Sequence, residues 1–187
     1  MNGWRLTVGS LYLPKGGRAD DTPAELARYR RKLRFLRSFR PYLTRARLRA
    51  RADDREFLVM GDFNIAHTRW DLRNWRTSQK AVGLLPEERE WFASVLGPRT
   101  LADVVRRLLP ETDGPYSWWS WMGNAFNNDV GWRIDYHLAT PGLAAAATSG
   151  GTDRADSYET RMSDHAPVVV DYADGPASWH FCSSAWG

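Results

Sequence analysis

The 187-residue chain is 43% hydrophobic and carries 26 Lys or Arg against 22 Asp or Glu, a formal charge of +4. That is enough apolar material for one domain with a real core, and the small positive charge permits a polyanionic partner without demonstrating one. A single cysteine, Cys182, excludes an intrachain disulfide, no apolar stretch approaches membrane-spanning length, and a soluble cytoplasmic protein is expected.

Residues Leu6 to Leu13 read as a strand, apolar on both faces, closed by a turn over Pro14 to Gly17. A helix follows, with Thr22 as N-cap, Pro23 at the first helical position and Glu25 in the first turn. Its apolar residues Leu26, Tyr29, Leu33, Leu36 and Phe39 recur at helical spacing, and Pro41 is expected to break or kink it. Between Arg28 and Arg51 stand eleven Arg or Lys and no acidic residue. Such a run is either a solvated helix face or a surface that neutralises a nucleic-acid backbone. Phe57 to Met60 reads as a buried strand ending at Gly61, and Ile65 to Leu84 as a long loop of a kind often used for binding. Pro86 opens a short helix, Glu87 to Leu96, stopped by Gly97, and a second helix is expected over Ala102 to Leu109. Tyr116 to Trp121 reads as an aromatic strand, Asn124 to Gly131 as polar loop, and Ile134 to Ala139 and Ala166 to Tyr172 as the last strands. Strands separated by helices imply an α/β protein with a mixed sheet over residues 1–174. An unpatterned, poorly ordered tail is expected over 175–187.

Two short runs carry the chemistry. Gly61-Asp62-Phe63-Asn64 closes one strand, and Ser163-Asp164-His165-Ala166-Pro167 opens another. In an extended backbone Asp62 and Asn64 share a face, with Phe63 turned into the core. A carboxylate there binds a divalent metal or takes a proton from water, and an amide beside it fixes that water or a phosphate oxygen. Hard oxygen ligands favour Mg²⁺ or Mn²⁺ over zinc. Asp135 lies on the strand face opposite Ile134, Tyr136 and Leu138 and needs a partner. His165 suits it, with Arg133 and His137 as alternatives, although His137 reads as structural. Tyr12, beside the first turn, either hydrogen-bonds a phosphate or packs in the core. Met122 and Trp132 border the polar loop, where apolar wedges can open a duplex.

These residues resemble the exonuclease III and apurinic/apyrimidinic endonuclease family, within the endonuclease/exonuclease/phosphatase superfamily. The likeness runs from about Leu6 to Tyr172. Gly-Asp-Phe-Asn and Ser-Asp-His-Ala-Pro are shared across the superfamily. The repair branch is indicated by Ile65-Ala66-His67 with Asp71-Leu72-Arg73-Asn74, by Leu85-Pro86-Glu87-Glu88-Arg89, and by Tyr116-Ser117-Trp118-Trp119 with Gly131-Trp132-Arg133-Ile134-Asp135-Tyr136. The resemblance implies Tyr12 as a phosphate contact, Asp62 as activator of the attacking water and Asn64 as its positioner. It implies Asp135 paired with the catalytic His165. Metal contacts would come from Asp164, with Asp62, Asn64 and His165 around the ion. DNA would be met by Arg69, Asn74 and Lys80 in the long loop, and by Met122 and Trp132 at an abasic-site pocket.

The implied activity is Mg²⁺- or Mn²⁺-dependent cleavage of double-stranded DNA 5′ to abasic sites, with removal of nucleotides from 3′ ends, by a monomer. Alternatives are a phosphoesterase acting on a non-nucleic-acid phosphodiester and a DNA-binding fragment without catalysis. The family's domain has a first half, bearing a metal-binding glutamate, ahead of the strand that matches Leu6 to Leu13. The chain is therefore expected to be the C-terminal part of a four-layered, DNase I-like α/β sandwich with mixed and antiparallel sheets, inactive or nearly so by itself. Lys15, where an asparagine is usual, and His67-Thr68-Arg69-Trp70, where an acidic pair is usual, depart from the family pattern. Cys182 matches nothing in it.

Overall fold

The computed structural model describes residues 3–175. Its first strand, β1 (Leu6–Tyr12), runs parallel to β2 (Glu56–Asp62), and α1 (Pro23–Ala52) is the crossover that a parallel pair requires. β4 (Asp135–Ala139) pairs antiparallel with β2 on its other side, and the two-residue β3 (Ala102–Asp103) extends the sheet to the order β1-β2-β4-β3. A second, two-stranded antiparallel sheet consists of β5 (Ala147–Thr152) and β6 (Val168–Tyr172). The short helices α2 (Pro86–Val95), α3 (Val104–Leu108) and α4 (Pro141–Ala145) complete the elements.

Three layers follow from where the apolar residues point. Leu36, Leu43 and Ala50 of α1 and Phe92 of α2 pack with Phe57, Val59, Tyr136 and Leu138 on one face of the four-stranded sheet. On the other face, Leu58 and Ala139 meet Val104 and Leu143, with Val170 and Tyr172 from the small sheet. On β1, Leu6 joins that second cluster, whereas Val8 and Tyr12 are 50% and 75% exposed. Among the described residues no helix is long and apolar enough to cross a membrane.

Several expectations need correction. Pro41 does not break α1, which runs through it for 30 residues. Pro41 lies on the exposed side, whereas Leu36 and Leu43, on either side of it, are buried against the same core. Burial of those two leucines, about 1.5–3 kcal/mol each, offsets a helix-interior proline costing about 3 kcal/mol. The segment Tyr116 to Trp121 is not a strand; it makes only single bridges, from Trp118 to Trp132 and to His165. Ala102 to Leu109 starts as strand and becomes helix only at Val104. β5, which two glycines interrupt, is an additional strand; a Cβ on Gly150 would lie 3.0 Å from Leu108 Cδ1, a tight approach to a side-chain end, while one on Gly151 would meet nothing within 4 Å. The tail expected after Asp174, with Cys182, lies outside the described residues from 176 onward.

The long loop is ordered by a buried ionic centre. Arg133, 1% exposed, donates from Nη1 and Nη2 to Asp103 at 2.9 and 2.6 Å and from Nε to Asp71 at 2.7 Å. Arg106 reaches the same Asp71 oxygen at 2.6 Å, and Asp71 Oδ2 accepts from Thr68 N and Oγ1. Arg133 thus belongs to Asp71 and Asp103, not to Asp135. Removing one partner of such a centre strands the others in low dielectric. Arg133→Met is therefore expected to lower the unfolding free energy by about 3–5 kcal/mol, read from urea denaturation followed by tryptophan fluorescence.

Candidate active site

Strand register lines up the site. Tyr12 on β1 is the partner of Asp62 on β2, and Asp62 is the partner of Asp135 on β4, all at the same end of the sheet. β2 reaches this end through Gly61, whose φ of 130° and closeness to Leu11 O exclude any side chain, since a Cβ would sit 2.0 Å from that oxygen. Asn64 then adopts a left-handed φ of 49°, which Asn tolerates well. Asp62 and Asn64 do meet, but through this turn and not along an extended strand. Asn64 donates from its backbone N to Asp62 Oδ1 at 2.6 Å, and from Nδ2 to Asp62 Oδ2 at 2.8 Å and to Leu13 O at 2.9 Å.

His165 arrives from the loop before β6, held by the bridge to Trp118. Its Nδ1 is 2.9 Å from Asp135 Oδ2, and Ser117 Oγ donates to the same oxygen at 2.7 Å. Asp164 points elsewhere, accepting at Oδ2 from Trp118 Nε1 at 2.9 Å. Adjacent residues thus serve different partners because they sit in irregular chain. Of the three partners open to Asp135 in the sequence, the structure selects His165. His137 instead lies 3.4 Å from the Tyr172 hydroxyl.

The electrostatics follow from this crowding. Burial, with the Asp135 charge added, pushes the Asp62 carboxyl up to about 6. Burial disfavours the charged ring of His165, but the hydrogen bond and charge of Asp135, then Asp62 and Asp164, outweigh it and hold its pKa above the ordinary value. Burial raises Asp164, yet its hydrogen bonds, Trp118 first, bring it below the usual carboxylate range.

Two supporting groups were missed in the sequence. Lys32 reads as one of the arginine-rich run, but it is 1% exposed, pairs with Glu88 at 2.7 Å and donates to Asn64 O at 2.8 Å. It therefore braces the turn behind Asp62. Arg161 is buried under the ring of Trp121 at 3.6 Å and beside Tyr158 at 4.5 Å, tying the Trp-rich loop to the loop that bears Asp164 and His165. The helical spacing of Lys32 with Leu36 was the available signal for the first; nothing local signalled the second.

The expected DNA contacts are placed as follows. Met122 is 79% exposed, whereas Trp132 is partly buried, edge-on to Trp118. Arg69 and Asn74 line a shallow cleft of about 340 Å³ with Asp113, Arg69 stacking on Trp70. Lys80 is exposed outside that cleft. A larger cavity of about 720 Å³ adjoins the Asp135–His165 pair, with Arg154 and Arg161 in its wall. Among the described residues no three His, Cys, Asp or Glu side chains are grouped to hold a metal ion, and Asp164 Oδ2 is already bonded to Trp118. The described residues do not by themselves make the metal centre that the resemblance implies.

The chain belongs to the endonuclease/exonuclease/phosphatase family, whose profile matches residues 6–165. It is 37% identical over 119 residues to the DNA repair nuclease APEX1 of Danio rerio, covering 63% of this chain and 37% of that protein. It is 34% identical over 113 residues to an exodeoxyribonuclease of Bacillus subtilis (strain 168), covering 60% of this chain and 43% of the relative. Among solved structures, the 3′ phosphatase NExo from Neisseria bound to a product DNA hairpin matches with a TM-score of 0.74 at 27% identity, over 89% of this chain and 60% of that one. An AP endonuclease from Archaeoglobus fulgidus, at 24% identity, shares the fold with a TM-score of 0.76 over 89% of this chain and 61% of its own. The chain thus spans less than half the length of these two curated relatives and about three fifths of the two structures.

The raised Asp62 carboxyl makes a prediction about stability. Below about pH 4 the group is protonated folded and unfolded; above about pH 6 it is ionised in both, and the fold holds the charge less well. The stability it contributes is thus present at low pH and lost as pH rises through about 6. Asp62→Asn removes this titration, so the variant is expected to gain about 2–3 kcal/mol on the parent protein between about pH 4 and pH 7. Urea denaturation of both proteins across that range reads the difference.

Proposed function

We propose that this chain carries part of the active site of a DNA phosphodiesterase of the exonuclease III type, acting 5′ to abasic sites and at 3′ ends of double-stranded DNA. The observation that supports this most is the row Tyr12, Asp62, Asp135, with His165 attached to its end. Asp62, with its carboxyl near 6, is ionised at neutral pH yet basic enough to take a proton from a water molecule. Asn64 holds that carboxylate by two hydrogen bonds, so its lone pairs face a fixed direction. Asp135 fixes the tautomer and tilt of His165 and favours its protonated form, which suits it to negative charge building on phosphoryl oxygens. The exposed phenol of Tyr12, whose strand partner is Asp62, is the proposed donor to a phosphate oxygen.

Metal ligation is assigned to Asp164, Asp62, Asn64 and His165 as part of the same proposal, with Mg²⁺ or Mn²⁺ as the ion. A divalent ion in such a site supplies charge neutralisation for the leaving oxygen. Because the described residues offer no grouped set of three, an ion would be held weakly by them. Arg69, Asn74, Lys80, Met122 and Trp132 are proposed DNA contacts. The DNA reading, over a phosphoesterase for other diesters, is supported by the likeness to a DNA repair nuclease and an exodeoxyribonuclease, together with an exposed Met122 and an arginine-bearing cleft.

Incision of a duplex with a single abasic site, in Mg²⁺, tests the proposal. These 187 residues are expected to cut it far below the ordinary enzymatic range of about 1–10³ s⁻¹, and Asp62→Asn to abolish whatever remains. Turnover within that range overturns the incomplete-site part. Hydrolysis of a phospholipid or inositol phosphate in preference to DNA overturns the substrate part.

A further inference from the structure

The charge of this protein is concentrated in one helix. α1 carries eleven Arg or Lys and one acidic residue, Glu25, for a net +10; the whole chain is +4, so everything outside α1 sums to −6. Lys32 is buried against Glu88 and Arg47 donates to Arg99 O, but the remaining nine arginines of the run are exposed. Among the described residues only Arg28 of these nine is in an ion pair, with Glu25. Arg30, Arg34, Arg37 and Arg45 lie near the centre of the outward face, away from buried Leu36 and Leu43. The first three line a shallow groove of about 390 Å³.

An ordinary solvated helix face intersperses acidic residues, because like charges three or four positions apart destabilise the helix. α1 does the reverse over about 45 Å, and with arginine, whose planar fork matches phosphate oxygens, in place of lysine. We propose that the outer face of α1 is a second, sequence-independent binding surface for the phosphate backbone of duplex nucleic acid. α1 starts in the turn after Tyr12, beside the site, and runs to the opposite end of the sheet, where β2 begins. The surface therefore leads away from the site and does not belong to it. A lipid surface fits less well, since an interfacial helix inserts an apolar face and that of α1 is already packed on β2 and α2. The inference does not depend on hydrolysis by the site.

The test is binding of a fluorescent 20-base-pair duplex without an abasic site, in EDTA, as salt is raised from 50 to 200 mM. The parent chain is expected to lose affinity steeply. Replacing Arg30, Arg34, Arg37 and Arg45 together by Gln should reduce the log–log salt slope by about 3.6 and weaken binding at least tenfold at 50 mM. The same four positions changed to Lys should bind within a few-fold of the parent. Equal binding by a Gln variant with unchanged circular dichroism and Tm overturns the proposal. A parent slope near zero overturns it too, whether or not the Gln variant folds, and so does tighter binding to phosphatidylserine vesicles than to the duplex. Failure of abasic incision leaves this outcome unchanged, so the two readings fall separately.

Discussion

A slip of one residue between β2 and β4 would turn Asp62 and Asp135 onto opposite faces of the sheet, and the site would vanish. Everything functional in this chain depends on that register. It is fixed from both sides: Phe57, Val59, Tyr136 and Leu138 face the helices, while Leu58 and Ala139 face the small sheet. It is also fixed at its end, where Phe63 N donates to Ile134 O at 2.9 Å, while Leu13 N donating to Asp62 O at 2.8 Å fixes β1 on β2. The parallel partner β1 then brings Tyr12 to the same row. Packing on two faces thus sets the distance between two carboxylates that would repel each other in solution.

That forced closeness generates the chemistry. Asp62 is buried beside Asp135 and loses acidity, whereas Asp135 has Ser117 and His165 on one oxygen and favours the protonated imidazole. Two carboxylates of the same type are driven into different roles by their surroundings. Lys32 and Glu88 brace the turn from behind without touching the row. The Arg133 centre does the same for the long loop. The arginine run is concentrated on the outer face of α1, whereas Arg154 and Arg161 stand in the wall of the cavity beside the Asp135–His165 pair.

What the sequence disclosed and what it withheld divide by range. Strands with continuous apolar runs, β1, β2, β4 and β6, were legible from those runs, although only β2 and β4 carry buried residues and β1 and β6 stay partly or largely exposed. Asp62, Asn64, Asp135 and His165 were legible as a set because strand ends and motif spacing place them at one edge. Partner choice was not legible. Arg133 and Asp135 are two residues apart yet belong to different networks, and only the pairing of Arg133 with Asp71 and Asp103, 62 and 30 positions away, decides this. Pro41 contradicted its helix locally and was overruled by the core packing of Leu36 and Leu43, and the glycines of β5 hid a strand that is fixed by its pairing with β6. Lys32, the one lysine in a run of eleven cations, was hidden because its burial depends on Glu88 and the Asn64 carbonyl, which are far from it in sequence.

Burial, with register-enforced closeness to Asp135 added, makes Asp62 a weak acid poised near neutrality. Carbon-13 NMR of the Asp62 carboxyl across pH 3 to 9 measures this directly. The account predicts a midpoint close to 6, moving down toward the ordinary carboxylate range in Asp135→Asn while the fold is retained. A midpoint near 4 in the parent protein, or one unmoved by Asp135→Asn, would contradict it.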